Sequence, residues 1–254
     1  MSQYRTACAT LVRFADNLIV EAVHHCKDMS EEDLKLSDDG YGMIAGMARE
    51  LGDPVKIRNL AMDLFIAGQN MTGTMAAWAF ACLERHPDVF GRLRTEVFAK
   101  FGTEDDPLAP MTWNNLRACT TLQHVIMETM RMFPLIANVG RNAKCDTVLP
   151  RGGGSDGLQP IAVPKGAAVV CNVYLMHRRE QEWGHDALEW KPDRWAGRRY
   201  GPEYSPFGAG PRVCIGRKSE PHLASEMMLT SSRTTLDDRD QRSDRTYVPA
   251  LLRH

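Results

Sequence analysis

Between Pro54 and His86 the sequence keeps one helical period throughout, and a helix that long dictates how the remainder is arranged. Ile57, Leu60, Ala61, Leu64 and Phe65 fall at i, i+3, i+4, i+7 and i+8, and Met75, Trp78, Ala79, Cys82 and Leu83 extend the stripe. Asp53-Pro54 reads as a cap followed by proline in the first turn, and Pro87 stops the run. Such a helix crosses a whole domain, so other elements must pack along it. Gly68 and Gly73 lie in its middle, where each costs about 1 kcal/mol relative to alanine. They predict a local distortion or a close approach to something flat.

Around this helix the pattern is mostly helical. Residues 1–27 read as helix, and 28–42 as an acidic, turn-rich loop with a short helical piece. Further helices are expected over about 87–101 and 113–133. The second carries Leu122, Val125, Ile126, Met130 and Phe133 on its apolar stripe and ends at Pro134. Glu128 and Arg131, three apart, share another face of it. After Pro134 the texture changes. "DTVLP" and "PIAVPKG" read as strands flanking the turn-rich "RGGGSDGLQ", and "AAVVCNVYLM" as a third strand or a short helix. "WKPDRW" and "YSPFGAGPR" are proline-rich loops. The fold class expected is mainly α with a small β-sheet. Residues 230–246 hold almost no apolar side chains and are expected to be disordered.

Composition excludes several functions. Thirty-one Lys and Arg against 32 Asp and Glu leave a net charge of −1, without the basic bias that nucleic acid requires. No apolar run is long enough to span a bilayer, and Arg5, Arg13 and Asp16 break the first twenty residues, so neither signal peptide nor anchor is expected in this chain. The seven cysteines are odd in number, widely spaced and without a Cys-x-x-Cys pair. That pattern suits neither a disulfide scaffold nor structural zinc, and it fits a reducing compartment. Six of the seven read as small buried hydrophobes.

The seventh, Cys214, sits in "FGAGPRVCIGR". A thiolate is a strong soft ligand for iron. To bind haem iron from one side, its backbone must turn sharply beneath a flat macrocycle, and glycines at 208, 210 and 216 permit this. Backbone N–H groups aimed at the sulfur would steady its charge. Arg212 would neutralise a propionate, and Phe207 would pack over the sulfur.

The spacing of Phe207, Gly210, Arg212, Cys214 and Gly216 resembles the cytochrome P450 signature, which has these five residue types at these intervals. The resemblance runs from about residue 45 to 218. It implies a P450-like fold, a haem with Cys214 as its axial metal ligand, and a monooxygenase that inserts one oxygen atom into a lipophilic substrate. It also implies electrons from an NADPH-dependent flavoprotein reductase. By the same resemblance Glu128, Arg131 and Arg194 form an ion-paired structural triad that locks the segment before the cysteine. Arg141 would be a second propionate partner, Gly68 would leave room for oxygen, and His177 in "MHRR" would be structural. The "LPRGGGSDGLQPIAVPKG" stretch and "MHRR" look most like fungal hydroxylases of n-alkanes and fatty acids.

Three departures from the family stand out. On the long helix the family's oxygen-activating motif, Ala-Gly-x-acid-Thr-(Thr or Ser), reads Ala67, Gly68, Gln69, Asn70, Met71, Thr72. Asn70 cannot titrate, Met71 cannot donate, and Thr72 is turned about 100° round the helix. These catalytic positions predict reducing equivalents lost as peroxide, or else a peroxide used or rearranged. Second, family members are roughly twice as long. Residues 1–229 are therefore expected to be a partial haem-thiolate domain without its N-terminal half. The family's endoplasmic reticulum anchor would be missing, and the chain would be cytoplasmic if made as given. Third, Pro221 interrupts the helix expected after Cys214, and 230–254 reads as an atypical or disordered tail. Two other readings stand beside the enzyme: a non-catalytic haem-binding or inactive remnant, and a scaffold whose Cys214 is a redox-reactive thiol without haem.

Overall fold

The computed structural model describes residues 2–25, 42–103 and 106–217. The loop expected over 28–42 (save Gly42), Cys26, Pro221 and the tail expected over 230–254 lie outside the described residues. The chain divides into two compact units, Met1–Asn70 and Met71–His254.

In the first unit, α1 (Ser2–His25) and α2 (Gly42–Leu51) pack together, and α3 (Pro54–Arg85) begins. The expected helices at 1–27 and from Pro54 are present. Ala15, Ile19 and Ala22 line one face of α1 and are buried with Ala45 and Ile57. Asp16 and Arg58 pair at 3.1 Å. Asp53 acts as the anticipated cap, its Oδ1 accepting the Val55 N–H at 3.0 Å. The stripe on this half of α3 is shallower than the sequence implied: Ile57 is buried, but Leu60 and Phe65 are exposed. The glycines also behave differently. The helix runs unbroken through Gly68 and Gly73, and a Cβ at either would meet nothing within 4 Å among the described residues. Neither a distortion nor a close protein neighbour accounts for them.

The second unit holds the larger core. The rest of α3 buries Met75, Ala79, Cys82 and Leu83, and Trp78 stacks on Phe133 at 4.1 Å. Helix α4 (Pro87–Phe101) buries Val89, Leu93, Val97 and Phe101, one per turn. It ends at Gly102, whose φ of +69 and closeness to the Asp106 carbonyl leave no room for a side chain.

The single helix expected over 113–133 is two, α5 (Trp113–Arg117) and α6 (Thr120–Met132). The Thr112 hydroxyl caps α5. Cys119 then takes an extended conformation, and the Glu96 carboxylate on α4 accepts the N–H groups of Thr120 and Thr121 at 2.7 and 2.8 Å. A cap borrowed from another helix starts α6 afresh.

The small β component is two antiparallel pairs rather than one sheet. Strand β1 (Asn138–Asn142) pairs with β4 (Ala168–Asn172), and β2 (Thr147–Gly153) with β3 (Gln159–Val163). "AAVVCNVYLM" is both of its alternatives in turn. It runs as β4 and then as α7 (Val173–Met176), which opens where the Asn172 side chain accepts the Leu175 N–H at 2.7 Å. After α8 (Glu180–Trp183) the chain is irregular, with 3-10 turns at Pro192–Trp195, Gly210–Arg212 and Ile215–Arg217. The cysteines also depart from expectation. Cys82 and Cys119 are buried, but Cys145 and Cys171 are exposed like Cys214, and Cys8 is half-buried.

Candidate functional site

One turn of α6 separates Glu128 from Arg131, and both side chains point inward with no exposed surface. The Arg131 guanidinium donates through Nε to Glu128 Oε2 at 2.9 Å and through Nη2 to Oε1 at 2.8 Å. Its other N–H groups reach the carbonyls of His177, Ala187 and Glu189 at 2.7–2.8 Å. Every donor of a buried arginine is thereby used, which offsets its desolvation. Arg194, on the 3-10 turn at Pro192–Trp195, donates through Nε to Glu128 Oε1 at 2.9 Å. The Lys191 N–H and the Trp195 indole N–H complete the carboxylate's shell at 2.8 and 3.0 Å. The structure thus brings Glu128, Arg131 and Arg194 together and closes the irregular 187–195 segment around them.

Two contributors had no sequence signal of their own. Asp186 accepts from Arg194 Nη1 at 2.9 Å and from Lys191 Nζ at 3.0 Å. Those two donors pull its carboxyl down to about 2. Burial alone would lower Arg194, but Glu128 and Asp186 outweigh it and hold the guanidinium above its usual value. Trp195 directly follows Arg194 in "KPDRW", and that adjacency was the available hint. The guanidinium groups of Arg131 and Arg198 lie over the Trp183 ring, 5.1 and 4.3 Å from its centre. Its buried indole N–H has no hydrogen-bond partner among the described residues.

The segment that follows is tied to α6. The Tyr204 hydroxyl donates to the Met127 carbonyl at 3.1 Å, and the Ser205 N–H donates to Nε2 of His177 at 2.9 Å. Burial raises Tyr204 well above the usual phenol value. From there the chain enters the glycine-rich loop. Gly208 and Gly210 have φ of +72 and +73, the left-handed region that favours glycine. The Cys214 N–H closes the loop on the Phe207 carbonyl at 3.0 Å. A Cβ on Gly216 would sit 3.6 Å from the Cys214 sulfur.

Phe207 packs against the core cluster, and the Arg217 backbone N–H and guanidinium donate to the Cys214 carbonyl. Beside the loop, a cavity of about 530 Å³ is lined by Ile126, Met127 and Met130 of α6 and by Phe207, Gly208 and Val213. Cys214 is not part of that lining.

Cys214, Gly210 and Arg212 are all exposed, and a Cβ on Gly208 or Gly210 would meet nothing within 4 Å among the described residues. No group of three His, Cys, Asp or Glu that could hold a metal ion occurs among the described residues. A single thiolate suits a metal whose other ligands travel with it, as in haem, so the donor chemistry fits that group. Arg141 lies in β1, exposed, and donates to its neighbour's carbonyl at 2.7 Å. Asn70, Met71 and Thr72 fall where the two units divide, with Asn70 exposed and Thr72 buried.

Residues 2–236 match the family model described as Cytochrome P450. The chain is 35% identical over 256 residues to Cytochrome P450 52A13 of Debaryomyces hansenii, covering 100% of this chain and 48% of that protein. It is 36% identical over 216 residues to Cytochrome P450 monooxygenase g430 of Fusarium sp, covering 85% and 38%. In fold it is similar to the cytochrome P450DA heme domain, with a TM-score of 0.70 at 24% identity over 90% of this chain and 48% of that one. The chain spans about half or less of the length of the curated relatives it matches.

Proposed function

The chain belongs to the cytochrome P450 family, and from that premise we propose that it carries the haem-thiolate half of a monooxygenase acting on a lipophilic substrate such as an alkane or fatty acid. The observation that carries the reading is the exposed Cys214 thiol, presented by a loop with two left-handed glycines and rooted beside the buried Glu128–Arg131–Arg194 cluster. A bound haem would supply dioxygen and one-electron chemistry that side chains lack. Cys214 would hold it through its thiolate, and Arg212 and Arg141 would pair with the propionates. Electrons would come from a flavoprotein reductase using NADPH. No helix among the described residues is long and apolar enough to cross a membrane.

The test is to supply hemin to the full chain, reduce it and record the carbon monoxide difference spectrum. A thiolate-type spectrum that disappears in Cys214→Ser supports the reading. An unchanged spectrum in that variant, or no haem uptake, defeats it; the latter leaves the bare-thiol reading. Asn70 and Met71 favour a second reading, a haem protein that does not productively activate oxygen. Haem uptake with no product in the presence of reductase would select it.

A further inference from the structure

His177 is fully buried, and both of its ring nitrogens are engaged. Nε2 faces the Ser205 N–H at 2.9 Å, a group that can only donate, so Nε2 must be the bare nitrogen. Nδ1 faces the Arg131 carbonyl at 3.2 Å, a group that can only accept, so Nδ1 carries the proton. The partners therefore fix one neutral tautomer. Arg131 also donates through Nη1 to the His177 carbonyl at 2.8 Å, gripping the same residue from its other end. The ring stacks on Tyr204 at 5.4 Å and meets Trp183 edge-on at 6.3 Å.

Ser205 is the root of the cysteine loop. Its carbonyl accepts the Gly208 N–H at 3.2 Å, and the Phe207 carbonyl accepts the Cys214 N–H at 3.0 Å. A short run of hydrogen bonds therefore leads from the end of α6 through the imidazole into the loop. The charged and titratable groups around the ring are Arg131 from α6, itself paired with Glu128, Arg178 and the stacked Tyr204. The two cations disfavour a charged ring, while the backbone carbonyls of Arg131 and Met130 favour it. A second proton on Nε2 would set one N–H against another.

We propose that His177 is the positioning residue of the cysteine loop, a latch that holds Ser205 while neutral and releases residues 205–214 when protonated. Burial, aided by the two guanidinium groups, holds the ring down at about 4, so the closed latch persists at neutral pH. This goes beyond the haem reading and does not depend on it, because the latch is built entirely from the chain's own atoms.

Hydrogen exchange of the 205–214 segment in the full chain, without haem and corrected for intrinsic pH dependence, tests it. Wild-type protection is expected to fall about tenfold or more from pH 7 to pH 5, while 122–130 in α6 stays protected. Glutamine can place its oxygen near Nε2 and keep the Ser205 bond. His177→Gln should therefore stay within about threefold of wild type at pH 7 and lose the pH response. Asparagine reaches only the Nδ1 position, so His177→Asn should lose about tenfold at pH 7. Equal losses in the two variants, or a wild-type segment equally protected at both pH values, would overturn the latch. So would an α6 that opens together with the loop. Failure of haem uptake leaves each of these readings intact.

Discussion

Glu128 is a buried carboxylate with five donors around it: two from Arg131, one each from Arg194, Lys191 and Trp195. Glu128→Gln keeps the shape but turns one oxygen into an NH2 group that faces donors, and leaves two buried guanidinium groups with half their counter-charge. Breaking a buried pair in this way costs about 3–5 kcal/mol. Urea unfolding of the variant should show that loss; a change under about 1 kcal/mol would mean the arginines find other partners. At His177 the relevant variable is pH. The folded ring titrates near 4, below its ordinary 6.5, so between these values the unfolded chain binds more protons and stability falls as pH falls. The ceiling is on the order of 3 kcal/mol. Burial lowers His124 as well, giving a slope of the same sign, so the His177 part is the difference between wild type and His177→Gln across pH 6.5 to 4.5.

Elements were legible wherever a local rule was decisive. Pro54 and Pro87 set helix limits, and the helix expected over about 87–101 is α4, whose face of Val89, Leu93 and Val97 is buried. The break between α5 and α6 was not legible, since its cause is Glu96, some two dozen residues away. Strand β1 was missed for a similar reason: "NVGRN" has no alternation, and it is a strand because β4 pairs with it. Of the candidate site, Glu128, Arg131, Arg194 and Cys214 could be named through the family resemblance, whereas Asp186 and the backbone carbonyls that satisfy Arg131 emerge only on folding. Glu96 offers a test of the borrowed cap. Glu96→Ala removes the acceptor for the first N–H groups of α6 and should lower stability by about 1–2 kcal/mol in thermal unfolding. Glu96→Gln, which keeps one oxygen, should lose about half of that. Identical losses would assign the effect to packing instead.

Over the whole molecule, the residues of the proposed reaction are divided by how the chain is built. The cysteine loop, the Glu128 cluster and the His177 tie all belong to the unit Met71–His254, whereas Asn70 closes the other unit and Met71 opens this one. Holding a haem and using oxygen should then be separable by mutation. Glu128→Gln loosens the framework under the loop and should weaken or abolish the thiolate-type carbon monoxide spectrum. Asn70→Asp/Met71→Thr leaves that framework untouched and should keep the spectrum. It restores a titratable acid and a hydroxyl donor one residue apart, so with reductase present it should raise the ratio of oxygenated product to hydrogen peroxide several-fold. Equal ratios in the double variant and the natural chain would show that these positions do not limit oxygen use. A spectrum lost in both variants would show that ligation depends on the 70–71 positions as well as on the buried cluster, and the division would fail.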